Sequence, residues 1–124
     1  MNGILDTTVI IHLLRNQEIA SEWLDSQSYV VITPITWLEV MEGSKSKLHQ
    51  NATKSILNKF QIVHTTSSDQ KWAMNQLEKF HFSHRIGMND CQIASVAYRL
   101  QIPLYTHNLK HMTPLLGELA QKPY

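Results

Sequence analysis

A chain of 124 residues has room for one domain with one core, spanning residues 1–124, and not for two. Its 43% hydrophobic and 17% charged content excludes wholesale disorder. Eleven Lys/Arg against ten Asp/Glu leave a net charge of +1, too even to decide for or against a nucleic-acid partner.

Residues 1–16 are apolar but carry Asp6 and His12, with no basic leader or small-residue cleavage site, so a signal peptide is not expected. Gly3-Ile4-Leu5 reads as a short buried strand ending near Asp6. A short helix follows over 9–14, stopped by Arg15-Asn16, and a second over 18–26 carries Ile19, Ala20, Trp23 and Leu24 at helical spacing. Tyr29-Val30-Val31-Ile32-Thr33 is β-branched and aromatic, the plainest strand in the chain. Thr33 and Pro34 form an N-cap and first-turn pair for a helix through Ile35, Leu38 and Met41 that stops around Gly43.

Residues 45–60 read as a longer polar helix with Leu48, Ala52, Ile56, Leu57 and Phe60 inward. Gln61-Ile62-Val63-His64 gives a third strand. Ser67-Ser68-Asp69 caps a helix with a Trp72, Ala73, Leu77, Phe80 stripe. Residues 88–100 form another helix, and Pro103-Leu104-Tyr105-Thr106 a fourth strand. Residues 115–124 fit either an edge strand or a docked coil. Strands separated by helices give an α/β fold with a mostly parallel central sheet of four or five strands flanked by helices. No run nears the roughly 18 uninterrupted apolar residues of a membrane span. Cys91 stands alone and excludes an intrachain disulfide. Both features make a cytoplasmic protein the expectation.

Function has to come from a site, and open parallel sheets build sites at the carboxyl edge of their strands. Asp6 follows Ile4-Leu5 at that edge, a costly place for an unpaired carboxylate. Glu39 lies on the helix after the second strand, and Asp90 in the first turn of its helix in line with Ile93, Ala94 and Ala97. Carboxylates gathered there repel unless a cation neutralises them. Hard oxygen ligands suit Mg²⁺ or Mn²⁺, ions used in phosphodiester hydrolysis. Taken singly, each acid has a plainer reading: Asp6 as a helix cap, Asp90 as a favourable charge at a helix start. Spacing alone does not bring the three together.

Ile4-Leu5-Asp6-Thr7-Thr8-Val9-Ile10-Ile11 resembles the opening of PIN-domain nucleases, whose first strand ends in aspartate, then Thr or Ser, then Asn or Ser. Glu39-Val40-Met41-Glu42-Gly43 resembles their second segment, and Asp90-Cys91-Gln92-Ile93-Ala94-Ser95-Val96-Ala97 their third. The segment from Pro103 through Thr106 and Asn108 to Met112 is similar to the fourth, a strand ending in Thr-x-Asn-x-x-acid-Phe. The segments keep the family's order, and the likeness runs across nearly the whole chain, on the VapC-type toxin branch.

The resemblance implies Asp6, Glu39 and Asp90 as the catalytic acids that bind metal. Asn108 matches the family asparagine, Thr8 stands in place of the commoner Asn or Ser, and Thr106 adds a hydroxyl at the strand end. His111 departs from the pattern, standing where many members have Asp or Glu; it could ligate Mn²⁺ or pack at the surface. The implied activity is a Mg²⁺- or Mn²⁺-dependent endoribonuclease, the toxin of a type II toxin–antitoxin system. Its RNA substrate would be tRNA or rRNA, cut at single-stranded loops. The implied partners are a second copy of the chain and a small DNA-binding antitoxin.

The other residues with chemistry read more plainly. Glu42, beside Gly43, fits an exposed or supporting role. His81-Phe82-Ser83-His84 lacks the partners of a zinc site, and Cys91 has no triad around it. Trp23, Trp37 and Trp72 fit packing better than base stacking. If three of the ten acids are neutralised by a cation, seven face eleven bases, and Lys45, Lys47, Lys54, Arg85 and Lys110 become candidates for phosphate contact. Two rivals remain. A phosphoryl-transfer domain using Asp6 would want a second aspartate where Thr8 stands, or another early acid pair. A catalytically impaired PIN fold acting as a binding module would explain His111.

Overall fold

The structure is a computed structural model and describes residues 1–124. Five short strands form one all-parallel sheet in the order β3-β2-β1-β4-β5. They are β1 Gly3–Leu5, β2 Val30–Ile32, β3 Gln61–Ile62, β4 Leu104–Tyr105 and β5 Ala120–Gln121. The central strand β1 is buried at every residue, as expected where helices cover both faces. Its register sets Ile4 against Val31 on one side and Leu104 on the other. Gly3 is needed there because a Cβ would collide with the Tyr105 ring.

Seven helices connect and cover the strands: α1 Thr7–Leu14, α2 Glu18–Asp25, α3 Pro34–Glu42, α4 Lys47–Leu57, α5 Ser67–His84, α6 Met88–Leu100 and α7 Leu109–Leu116. The core divides into two. One cluster, with Ile4, Val31, Ile93, Val96, Leu104 and Met112 among its members, packs under α5, α6 and α7. The other gathers Leu5, Val9, Ile10, Ile32, Val40 and Leu57 with α1 to α4. After β3 the chain crosses to the far side of β1, so β1 and β4 are neighbours at the point where strand order reverses. Crevices open outside the carboxyl ends of strands at such a point.

Helix starts follow local chemistry. Thr33 caps α3 by accepting from the Thr36 N–H, with Pro34 in the first turn. Thr66 and Asp69 close a capping box on α5, so the cap is Thr66 rather than Ser67.

Several expectations shift. The polar helix begins at Lys47, capped by Ser46, and Lys45 precedes it. Its inward face is Thr53 and Leu57, while Leu48 is 81% exposed and Ala52 is also in solvent. Thr53 takes the inner position because its hydroxyl finds the Ser44 hydroxyl at 3.4 Å. Leu38 likewise faces outward at 60% exposure, and so does Ile19. The tail supplies the edge strand, with Leu104 opposite Ala120. Helix α7, with Pro114 inside it, was not among the expected elements, and it takes in Leu115 and Leu116 from the segment expected as strand or coil.

Candidate active site

The site grows from the ends of β1 and β4. Asp6 leaves β1 as the N-cap of α1, and its Oδ1 accepts the Thr7 N–H at 2.8 Å. Its Oδ2 accepts the Thr106 hydroxyl, from the end of β4, at 2.7 Å and the Thr8 hydroxyl at 3.4 Å. The Thr106 hydroxyl also accepts the Asn108 N–H at 2.9 Å, and the Thr8 hydroxyl accepts the His107 N–H at 3.1 Å. Two threonines thus tie the loop after β4 to Asp6.

Glu39 comes in from α3. Its Oε1 accepts the Thr7 hydroxyl at 2.7 Å, and its Oε2 accepts the Asn89 amide at 3.2 Å. Asp90, one residue on in α6, has its Oδ2 3.0 Å from His111 Nδ1. Asn108 Nδ2 stands 3.2 Å from the same ring nitrogen. A nitrogen that donates to Asp90 cannot also accept from Asn108, so the Asn108 amide must then present its oxygen. His111 in this arrangement is the partner of Asp90.

Asp6 is 3% exposed and has no cationic partner; the side-chain ion pairs are Arg99–Asp69 and His111–Asp90. Burial pushes the Asp6 carboxyl above its ordinary range, the Thr106 and Thr7 hydrogen bonds pull it back, and the charges of Asp90 and Glu39 push it further up. The three acids therefore share one electrostatic neighbourhood. They do not form a closed cage: no three His, Cys, Asp or Glu side chains surround one point closely enough to hold a metal ion. Glu39 is held back by Thr7 and Asn89, and Asp90 by His111. The donor chemistry still fits a hard divalent cation, because a buried carboxylate beside two others lacks only the positive charge.

Thr7 and Asn89 were missed in the sequence, although each directly adjoins one of the aspartates. Glu42 is exposed, as expected. Cys91 is buried, its thiol pushed up to about 11 by burial and then by Asp90, which leaves it inert. Two clefts meet at Glu39. One, of about 290 Å³ between α1 and the α3–α4 connection, carries Arg15, Lys45 and His49. The other, of about 270 Å³ between α3 and α6, carries Leu38, Glu42 and Met88.

The fold has close counterparts. A chain of a toxin–antitoxin complex from Klebsiella pneumoniae superposes with a TM-score of 0.82 at 23% identity, covering 98% of each chain. A chain of VapBC-1 from nontypeable Haemophilus influenzae gives 0.78 at 26% identity, over 99% of this chain and 98% of that one. FitAcB from Neisseria gonorrhoeae gives 0.75 at 25% identity, over 91% and 92%. No curated protein sequence matches the chain. The PIN domain family model matches residues 3–111, from the first residue of β1 to His111, and so takes in all three carboxylates. The chain belongs to the PIN-domain family.

Proposed function

We propose that this PIN domain is a metal-dependent endoribonuclease and the toxin half of a type II toxin–antitoxin pair. The observation that carries the reading is Asp6: a buried carboxylate without a counter-charge, at the strand-order reversal, with Glu39 and Asp90 raising its proton affinity. A buried carboxylate left without a counter-charge and crowded by two others marks a functional site. Bound Mg²⁺ or Mn²⁺ would supply Lewis-acid stabilisation of the charge that develops in phosphodiester hydrolysis.

The chain's own residues do the rest. Asp6 and Asp90 would hold the cation, and Glu39 would help hold it or orient the attacking water. Thr106 and Thr8 fix the Asp6 carboxylate, Thr7 and Asn89 fix Glu39, and Asn108 with His111 orients Asp90. The substrate is RNA, cut in single-stranded loops of tRNA or rRNA. The protein is cytoplasmic in this reading, and no helix is long and apolar enough to cross a membrane.

Partners follow the relatives. The counterparts include a toxin–antitoxin complex and VapBC-1, which supports a cognate antitoxin here. VapBC2 from Rickettsia felis is described bound to a DNA fragment from its promoter, which supports a DNA-binding antitoxin. A homodimer is supported by exposed Leu38, Met74, Phe82 and Met88, which line adjoining clefts along α3, α5 and α6.

A second reading, a binding module without catalysis, is favoured by one observation: the acids are not gathered into a cage, and His111 occupies Asp90. One experiment separates the two. Purified protein is incubated with total RNA and Mg²⁺ or Mn²⁺, with and without chelator. Discrete cleavage products that vanish with chelator support the nuclease. RNA bound but never cut, with either ion, supports the module.

A further inference from the structure

We propose that the cleft between α1 and the α3–α4 connection is a backbone-phosphate subsite, through which Arg15, Lys45 and His49 hold the RNA strand on the Glu39 side of the acid centre. The inference rests on the nuclease reading and names where the substrate's flanking phosphates go.

Three observations carry it. The first is charge left unused. Arg15 and Lys45 are exposed and make no ion pair, and neither side chain has a hydrogen-bond partner in the protein. His49 Nδ1 accepts the Lys45 N–H at 3.2 Å, so in the neutral ring the proton sits on Nε2, which remains a free donor. The second is placement. The floor of the cleft is the apolar surface of Ile11, Leu14 and Val40, and Glu39 stands on its wall. An anion entering there arrives beside Glu39. The third is asymmetry. The cleft on the opposite side of Glu39 carries Glu42, Leu38 and Met88 and no Lys or Arg. A polyanion meets repulsion and apolar surface on that side, and cations on the other.

Three carboxylates repel an RNA strand, so binding needs positive potential close by. Phosphate contacts from Lys and Arg supply it, and they position the strand without reading sequence. Arg15 presents a planar fork suited to two phosphate oxygens, and Lys45 a point charge. An acidic protein segment, an antitoxin's included, could use the same cations, and the binding test below separates it from RNA.

The test uses the full chain carrying Asp6→Asn, in chelator, so that no RNA is cut and one repelling charge is gone. Binding of a short fluorescein-labelled single-stranded RNA is followed by anisotropy from ~50 to ~200 mM salt. Arg15→Gln, Lys45→Gln and the double variant are compared with Lys71→Gln, an exposed lysine on α5. Each cleft substitution is expected to lower the slope of log K against log salt by about 0.7, and the pair by about twice that. The double variant should bind at least about tenfold more weakly at the lower salt. Circular-dichroism melts should be unchanged, since both residues are exposed. Cleft variants indistinguishable from Lys71→Gln overturn the proposal. So does a parent protein that binds a polyglutamate peptide of equal charge as tightly as the RNA, which would give the cleft to a protein partner. Because the readout is binding, metal-dependent cutting by the unsubstituted protein can stand while the subsite fails, or fail while it stands.

Discussion

Two buried aspartates divide the molecule into two electrostatic regions. Asp69, 2% exposed, sits where α5 meets α6, and Arg99 Nε reaches both its oxygens, at 2.9 and 3.1 Å. The Thr66 N–H donates to the same carboxylate in the capping box. Asp6, 3% exposed at the edge of the sheet, has hydroxyl and amide donors but no cation, and its charged neighbours are Asp90 and Glu39. A nearby imidazole follows the same pattern. Burial lowers the His107 pKa below its ordinary value, and His12 and Lys122 press it down further. The α5–α6 region pairs unlike charges, whereas the site region crowds like ones. Equal burial therefore means different things: Asp69 is a paired structural contact, and Asp6 a carboxylate whose counter-charge the fold does not supply.

The largest expected effect breaks the two apart by activity. Asp6→Asn should reduce RNA cutting by about three orders of magnitude, since it removes several kcal/mol of charge stabilisation with little change of shape. Asp69→Asn should cut nearly as well as wild type and instead lose about 2 kcal/mol of stability, discounted because Arg99 is partly exposed. Comparable losses of activity in both variants would erase the distinction. Next is ligand linkage: Mg²⁺ or Mn²⁺ at a hundred times its Kd should stabilise wild type by about 2.7 kcal/mol in a melt and leave Asp6→Asn where it was. An equal shift in both would place the ion elsewhere.

His111→Ala sharpens the role of the pair with Asp90. Cutting should stay within about tenfold of wild type, because a hard-cation site seldom needs nitrogen. A deep loss confined to Mn²⁺ would instead make the imidazole a ligand.

Smaller still is the stability of the metal-free protein. The folded pKa of Asp6 lies above its unfolded value, so over that window the folded state holds more protons and stability falls as pH rises. Asp6→Asn should escape this loss. At pH 7 in chelator it should be the more stable and melt higher, and the advantage should shrink toward pH 4. A melt in which the variant is the weaker at every pH would show that crowding costs Asp6 nothing. The smallest effect has the opposite sign. The folded His107 pKa lies below its unfolded value, so its neutral form stabilises the fold at higher pH, and that contribution is lost on acidification below the usual histidine range. His107→Gln should flatten the decline in Tm between pH 7 and 5, and an unchanged slope would remove His107 from the crowded region.

Most strands and helices were legible because their signals are local. β-branched runs gave β2, and Thr33-Pro34 gave the start of α3. Where the local signal was weak or misleading, the structure differs: α7 carries Pro114 inside it and was not expected, and Leu48 looked inward because apolar residues usually are. The candidate acids were legible one at a time, each at a strand end or in line with a helical stripe. Their company was not, because Asp6 and Thr106 touch across 100 positions of sequence and Glu39 meets Asn89 across 50.

By itself, then, the sequence determined an α/β order of elements, the family, and three acids worth watching, since periodicity, caps and motifs are written within a few residues of one another. Only the tertiary structure decided which buried aspartate keeps a counter-charge. Arg99 is no nearer to Asp69 in sequence than Lys45 is to Glu39, and it is the packing of α6 on α5 that delivers one guanidinium to a carboxylate and leaves Asp6 with none. Charge neutralisation depends on distance in space, and that distance is set by the fold.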